Sequence, residues 1–110
     1  MKSDNRVPTL SGKEAVVLEL LLEKPAREMY GLEMVADSRN KLKRGTIYVT
    51  LDRMEDKGYV QSRLEEPRAN VSGLPRRLYR VTGYGQKIFR AWELARNAGR
   101  MRTALLGGAS

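Results

Sequence analysis

Residues 15–22 read AVVLELLL, an apolar run interrupted only by Glu19. Ser11 stands three residues before Glu14. At that spacing the Ser oxygen accepts the later N–H and the carboxylate reaches back to the Ser backbone, a capping box. Leu10, just ahead of the cap, can staple the first turn. Pro25 stops the pattern, so the spacing predicts a helix over residues 12–24. Apolar side chains cover most of its circumference. Such a helix belongs at the centre of a fold, with other elements around it. The run is far too short to span a bilayer, and residues 1–10 lack the long apolar core of a signal peptide. A chain of 110 residues, 41% of them hydrophobic, suffices for one domain with a compact core.

The elements around it follow in order. Residues 25–29 read as a connector, and a second helix is predicted over 30–38, with Leu32, Val35 and Ala36 on its apolar side. A polar turn at 38–42 leads to residues 43–58, KRGTIYVTLDRMEDKG. This stretch predicts a third helix over 45–57, closed by Gly58 as a C′ residue. Two short helices joined by a tight turn read as helix-turn-helix. Residues 59–64 (YVQSRL) alternate as a strand does, and residues 77–81 (RLYRV) form a second strand. The loop between them carries Pro67, Gly73 and Pro75. Thr82 is a good cap for a last helix, although Gly83 and Gly85 weaken its first turn. There Ile88, Trp92, Ala95 and Gly99 recur at helical spacing, with Phe89 and Arg96 alongside. The fold class is mainly α with a small β-hairpin (α+β), a winged helix-turn-helix.

Charge narrows the function. Residues 1–38 carry five Lys/Arg against seven Asp/Glu, and residues 39–110 carry sixteen against six. A basic surface that spares the first helix suits a polyanion bound by one face. There is no Cys and no His. That excludes disulfides and zinc fingers and removes the usual general base. We expect no enzyme, no metal and no cofactor; Gly83-x-Gly85 lacks the strand-loop-helix context of a nucleotide loop.

On a wheel of about 100° per residue, Ile47, Leu51 and Met54 fall together as a buried stripe. Thr46, Val49 and Arg53 fall roughly opposite, with Thr50 at the edge. The same pattern serves an amphipathic helix with a solvated face. Thr and Val are poor helix formers, however, and make more sense on a face that something covers. A major groove fits: Thr hydroxyls bond either base type, and a Val methyl touches the thymine methyl. Arg53 can fork onto guanine or hold a phosphate. Lys43 and Arg44 stand at the expected helix start, where phosphate is favoured, and Tyr48 joins the candidate contacts. In the hairpin, Arg68, Arg76 and Arg77 oppose Glu65 and Glu66. Arginines there suit a minor groove or its backbone, or serve only as surface charge.

The ordered set Tyr30-Gly31-Leu32-Glu33-Met34, then Gly45-Thr46-Ile47-Tyr48 with Leu51, Arg53, Met54, Glu55, Lys57 and Gly58, then Leu78-Tyr79-Arg80-Val81-Thr82 with Gly85 resembles the PadR-like winged-helix transcriptional regulators. The likeness covers roughly residues 15–90. It implies a recognition helix at 45–57, a wing at 65–77, a C-terminal dimerisation helix and repression from a dyad-symmetric operator. On that basis residues 1–9 are a flexible tail, 10–82 the DNA-binding domain, 83–106 the dimerisation helix and 107–110 a tail. Ile88, Phe89, Trp92 and Ala95 would form the dimer interface. By the same resemblance Trp92 can line a pore for a flat aromatic effector; otherwise it is an interface or core residue. The expected partners are double-stranded DNA and a second copy, with no membrane, in the cytoplasm of a prokaryote or its phage. A protein-interaction module or an RNA-binding module are the alternatives. The chain departs from the family at Val49, where proline is usual, in a longer wing, and in Gly83-Tyr84, where an acidic pair usually precedes the glycine.

Overall fold

The structure, a computed structural model, describes residues 9–23, 27–66 and 75–107. Its elements are α1 (Gly12–Glu23), β1 (Met29–Tyr30), α2 (Gly31–Asp37), α3 (Ile47–Asp56), β2 (Val60–Leu64), β3 (Arg77–Val81) and α4 (Gly83–Gly107). The capping box forms as its spacing requires. Ser11 N–H donates to Glu14 Oε1 at 3.0 Å, and Glu14 N–H donates to Ser11 Oγ at 3.1 Å. Leu10 is buried beside it. Val17, Leu18 and Leu21 of α1 are fully enclosed, together with Met34 of α2 and Leu51 and Met54 of α3. The central position expected for α1 is the one it has.

The sheet differs from the expected hairpin by one strand. Its order is β1-β3-β2, antiparallel throughout, with Met29 opposite Tyr79 and Val60 opposite Val81. Residue 29 was expected in a connector and residue 30 in a helix. Two residues are too few to show an alternating pattern; what makes them a strand is the free edge of β3. Met29, Val60 and Tyr79 all enter the core from this sheet. Burial raises the Tyr79 phenol above its ordinary 10.0, with nearby Asp52 adding to the effect.

β1 also sets the roll of α2. Its buried residues are Gly31 and Met34, whereas Leu32 and Ala36 face outward and Val35 is only partly covered. The apolar side read from Leu32, Val35 and Ala36 is therefore corrected. After α2, Ser38 latches the turn. Its hydroxyl donates to the Val35 carbonyl at 2.8 Å and accepts the Leu42 N–H at 2.9 Å. Arg39 (φ 54°) and Asn40 (φ 68°) both hold left-handed backbone there, and Lys41 N–H closes onto the Ser38 carbonyl. This brings α3 across α1.

The third helix is shorter than expected. Thr46 and Ile47 N–H both donate to the Lys43 carbonyl, at 3.2 and 3.0 Å. Residues 44–46 are thus a turn, with Thr46 at the N-cap and Ile47 first in the helix. At the other end Gly58 adopts φ +81°, the C′ conformation expected of it.

The last helix begins directly at Gly83, because tertiary contacts outweigh glycine's poor propensity. Thr82 Oγ1 accepts the Gly85 N–H at 2.9 Å and donates to the Gly58 and Tyr59 carbonyls. A Cβ on Gly85 would lie 2.1 Å from the Tyr59 carbonyl oxygen. The start of β2 and the start of α4 therefore meet backbone to backbone.

Candidate nucleic-acid interface

Ile47, Leu51 and Met54 are each at most 1% exposed, as the inner stripe required. Opposite them stand Val49, 54% exposed, and Arg53. Thr46, Val49, Thr50 and Arg53 line one open cleft of about 670 Å³, whose other wall is the start of α1. Lys13 and Lys57 line the same cleft. Lys13 Nζ donates to Thr46 Oγ1 at 3.0 Å, and Thr50 Oγ1 donates to the Thr46 carbonyl at 3.2 Å. Thr50 therefore offers solvent only acceptor lone pairs. The guanidinium of Arg53 makes no ion pair or hydrogen bond among the described residues, nor do the charged groups of Lys43 and Arg44. Lys43 and Arg44 are exposed in the turn ahead of the helix rather than at its first residues.

Lys13 is absent from the contacts that the sequence suggests, and Lys57 enters there only as the end of the recognition helix. Lys13 sits in an acidic N-terminal third, and only the packing of α1 on α3 brings it to this face. Lys57 closes the expected recognition helix and stands at the same cleft. Its ammonium pairs at 2.8 Å with Glu14, which is 8% exposed. Burial disfavours the Glu14 carboxylate. The hydrogen bond and charge of Lys57 and the bonds from Ser11 outweigh it, so the carboxyl titrates below its ordinary 4.5. The sign of the linkage follows: the folded state prefers the ionised form, so this stabilisation is complete above pH 4.5 and is lost as pH falls through the lower folded value. Denaturation followed from pH 7 to pH 3 should show stability falling across that acid window. Glu14→Gln should remove part of the slope. Glu28, also held low by its hydrogen bond to Arg63, contributes a smaller, solvent-screened part of what remains. Identical slopes in the two proteins would contradict the assignment.

The described wing arginines are engaged. The Arg76 guanidinium stacks 3.9 Å above the Tyr30 ring and pairs with Glu65 at 3.4 Å. Tyr30 Oη donates to the same Glu65 at 2.5 Å. Arg77 Nη1 donates to Ser62 Oγ at 3.0 Å, and Ser62 Oγ donates to Glu55 at 2.7 Å. Arg63 forks onto Glu28, both bonds at 2.7 Å. Arg68 lies outside the described residues, as does most of the loop it belongs to. Tyr48 is 45% exposed, and its ring packs on Gly31, where a Cβ would approach to 2.8 Å.

Along α4, Ile88, Phe89 and Trp92 pack partly buried against the core of their own chain. Phe89 and Trp92 meet at 5.7 Å, and Arg96 covers the indole at 5.1 Å. Ala95 is also partly covered. A different stripe is exposed: Leu94, Met101 and Leu105 at 65%, 66% and 79%. With Ala91 and Ala98 it recurs at alternating spacings of three and four, the heptad signal of a helix seam. That spacing was readable in the sequence, beside the more aromatic stripe.

Three helices followed by a β-hairpin, with α3 exposing one face beside it, define a winged helix-turn-helix domain. The chain belongs to the transcriptional regulator PadR-like family, whose model matches residues 17–91. That is a family of transcriptional regulators, not of enzymes. No curated protein is similar enough to count as a match. Among solved structures, a PadR family transcription regulator from Clostridium difficile R20291 is similar with 24% identity and a TM-score of 0.64, over 89% of this chain and 97% of that one. A PadR-like transcription factor from Bacteroides fragilis has 20% identity and a TM-score of 0.70, over 86% and 88%. Bacillus subtilis PadR, solved in complex with operator DNA, has 20% identity and a TM-score of 0.60, over 72% of this chain and 46% of that one. At these identities the likenesses speak for the fold. No helix among the described residues is long and apolar enough to cross a membrane.

Proposed function

We propose that this chain is a sequence-specific regulator of transcription that binds a dyad-symmetric operator in duplex DNA as a homodimer and acts as a repressor. The observation that carries it is the outer face of α3: Arg53 with no partner among the described residues, beside Thr46, Val49 and Thr50 in one cleft rimmed by Lys13 and Lys57. Its chemistry fits a major groove, with hydroxyls and a methyl surface for base edges and cations for phosphates. Bacillus subtilis PadR in complex with operator DNA supports the same use of the fold. Lys43, Arg44 and Tyr48 extend the contact at the start of α3. In the wing, Arg77 and Arg68 are the candidate DNA contacts. Arg76, committed to Tyr30 and Glu65, shapes the hairpin and reaches DNA only by giving up that stack.

The DNA-binding unit comprises residues 10–82, and residues 83–106 form the dimerisation helix. The seam is the Leu94, Met101 and Leu105 stripe, because Ile88, Phe89 and Trp92 already cover their own core. Two-fold pairing would set half-sites about 34–36 Å apart, one turn of duplex. Leu94→Asp with Met101→Asp should give a monomer in sedimentation equilibrium with an unchanged circular dichroism spectrum; a dimer that survives both removes the seam. An aromatic effector at Trp92 has weaker support, since Arg96 covers that ring. The Streptomyces coelicolor regulator PcaV, solved with its natural ligand, is a precedent in the fold only.

Selection from a random duplex library, followed by footprinting, tests the proposal. The expected result is a palindromic site, with affinity falling steeply from 50 to 200 mM salt as counterions are released. Preference for single-stranded RNA, or no selected nucleic acid, would turn the reading toward the alternative modules.

A further inference from the structure

We propose that Val49 reads the 5-methyl group of one thymine in each half-site, making it a specificity-determining residue of this protein. The inference rests on the DNA-binding reading above and adds to it the base that the centre of the face selects.

Val49 lies almost diametrically opposite the buried stripe, on the face of α3 that lines the cleft. Its side chain is 54% exposed, and it is not among the residues that pack against the core. A half-exposed valine costs helix propensity and returns only part of the burial a core valine would. The cost is explained if something apolar covers it. Its surroundings say what kind of partner that is. Lys13, Arg53 and Lys57 line the same cleft against one carboxylate, Glu14, which Lys57 pairs with; the remaining charge of Lys13 and Arg53 favours an anionic occupant, as the DNA-binding reading requires. Among the groups that duplex DNA displays in its major groove, the apolar one is the thymine methyl. Val49 offers no hydrogen-bond donor or acceptor, so it cannot select a base by polar contact. Thr50 alongside presents acceptors only, its hydroxyl proton being given to Thr46. The methyl-bearing base is therefore the one this position distinguishes.

The test uses the full chain and its selected operator, with each thymine replaced in turn by deoxyuridine in both half-sites. Uracil keeps the pairing and every polar group and loses only the methyl. One position should weaken wild-type binding by about fourfold per half-site, the ratio for losing burial of one methyl-sized group at about 0.8 kcal/mol. Val49→Ala, which keeps only the β-carbon, should reduce that sensitivity while leaving responses at other thymines alone. The variant is expected to fold, since alanine is the better helix former, and its melting transition checks this. Tight binding with no uracil sensitivity anywhere overturns the inference and leaves the DNA-binding reading standing. So does sensitivity undiminished in Val49→Ala, since another residue then holds the methyl. Failure to select any duplex overturns the reading beneath it instead.

Discussion

Arg53→Ala weakens operator binding by about ten- to a hundredfold while the melting transition stays almost where it is. The expected loss is that of a hydrogen bond to a charged group, about 1.5–3 kcal/mol, at about 1.4 kcal/mol per decade of affinity. The small stability cost has a separate origin. Arg53 lies in the last turn of α3, where a cation complements the helix dipole. Its guanidinium has no partner in the described protein, so truncation strands no buried group. Arg53→Lys separates two uses of the side chain. If the arginine forks onto a guanine, lysine restores little and specificity relaxes; if it holds a phosphate, lysine restores most of the affinity. Fluorescence anisotropy against operator and scrambled duplexes reads both, with a thermal melt of each variant alongside. Unchanged affinity in Arg53→Ala would move the DNA surface off α3.

Gly85→Ala should be among the most destabilising single substitutions. The added Cβ would lie 2.1 Å from the Tyr59 carbonyl oxygen and 3.1 Å from a Val81 methyl. The obstacle is backbone at the start of β2, so no rotamer change relieves it. That carbonyl also accepts the Thr82 N–H at 3.1 Å, so moving it loosens the cap of α4 as well. Overpacking of this kind costs about 3 kcal/mol, which for a domain of this size lowers the melting point by roughly 12–24 °C. Gly83→Ala is the control. It lies in the same first turn with nothing within 4 Å of its Cβ position. Alanine's better propensity should leave it neutral or up to about 1 kcal/mol more stable. Equal melting points for the two variants would refute the close approach.

These two positions also mark how far the sequence could be read. Gly85 looked like a weakness in a helix start. It is instead the place where two backbones meet, and only the packing of α4 on β2 makes a side chain impossible there. Arg53 was legible because both its helix and its face follow from spacing within a dozen residues. Arg76 was not. In sequence it is one more basic residue of a loop, and its stack on Tyr30 joins positions 46 residues apart that meet only because β1 pairs with β3.

What the sequence determined by itself is local. The Ser11–Glu14 box, Gly58 at the end of α3, the Ile47–Leu51–Met54 stripe and the two longer strands each depend on residues close in the chain, and periodicity reports them. What tertiary structure alone decided is which of several candidate surfaces is covered. β1 formed because β3 had an open edge, and Leu32 turned outward because β1 fixed the roll of α2. Lys13 joined the cleft because α1 crosses α3. On α4, two apolar stripes compete; the body of the domain takes Ile88, Phe89 and Trp92 and leaves Leu94, Met101 and Leu105 exposed. Apolar burial has no direction of its own. A stripe declares that it will be covered, and only the arrangement of distant elements decides by what.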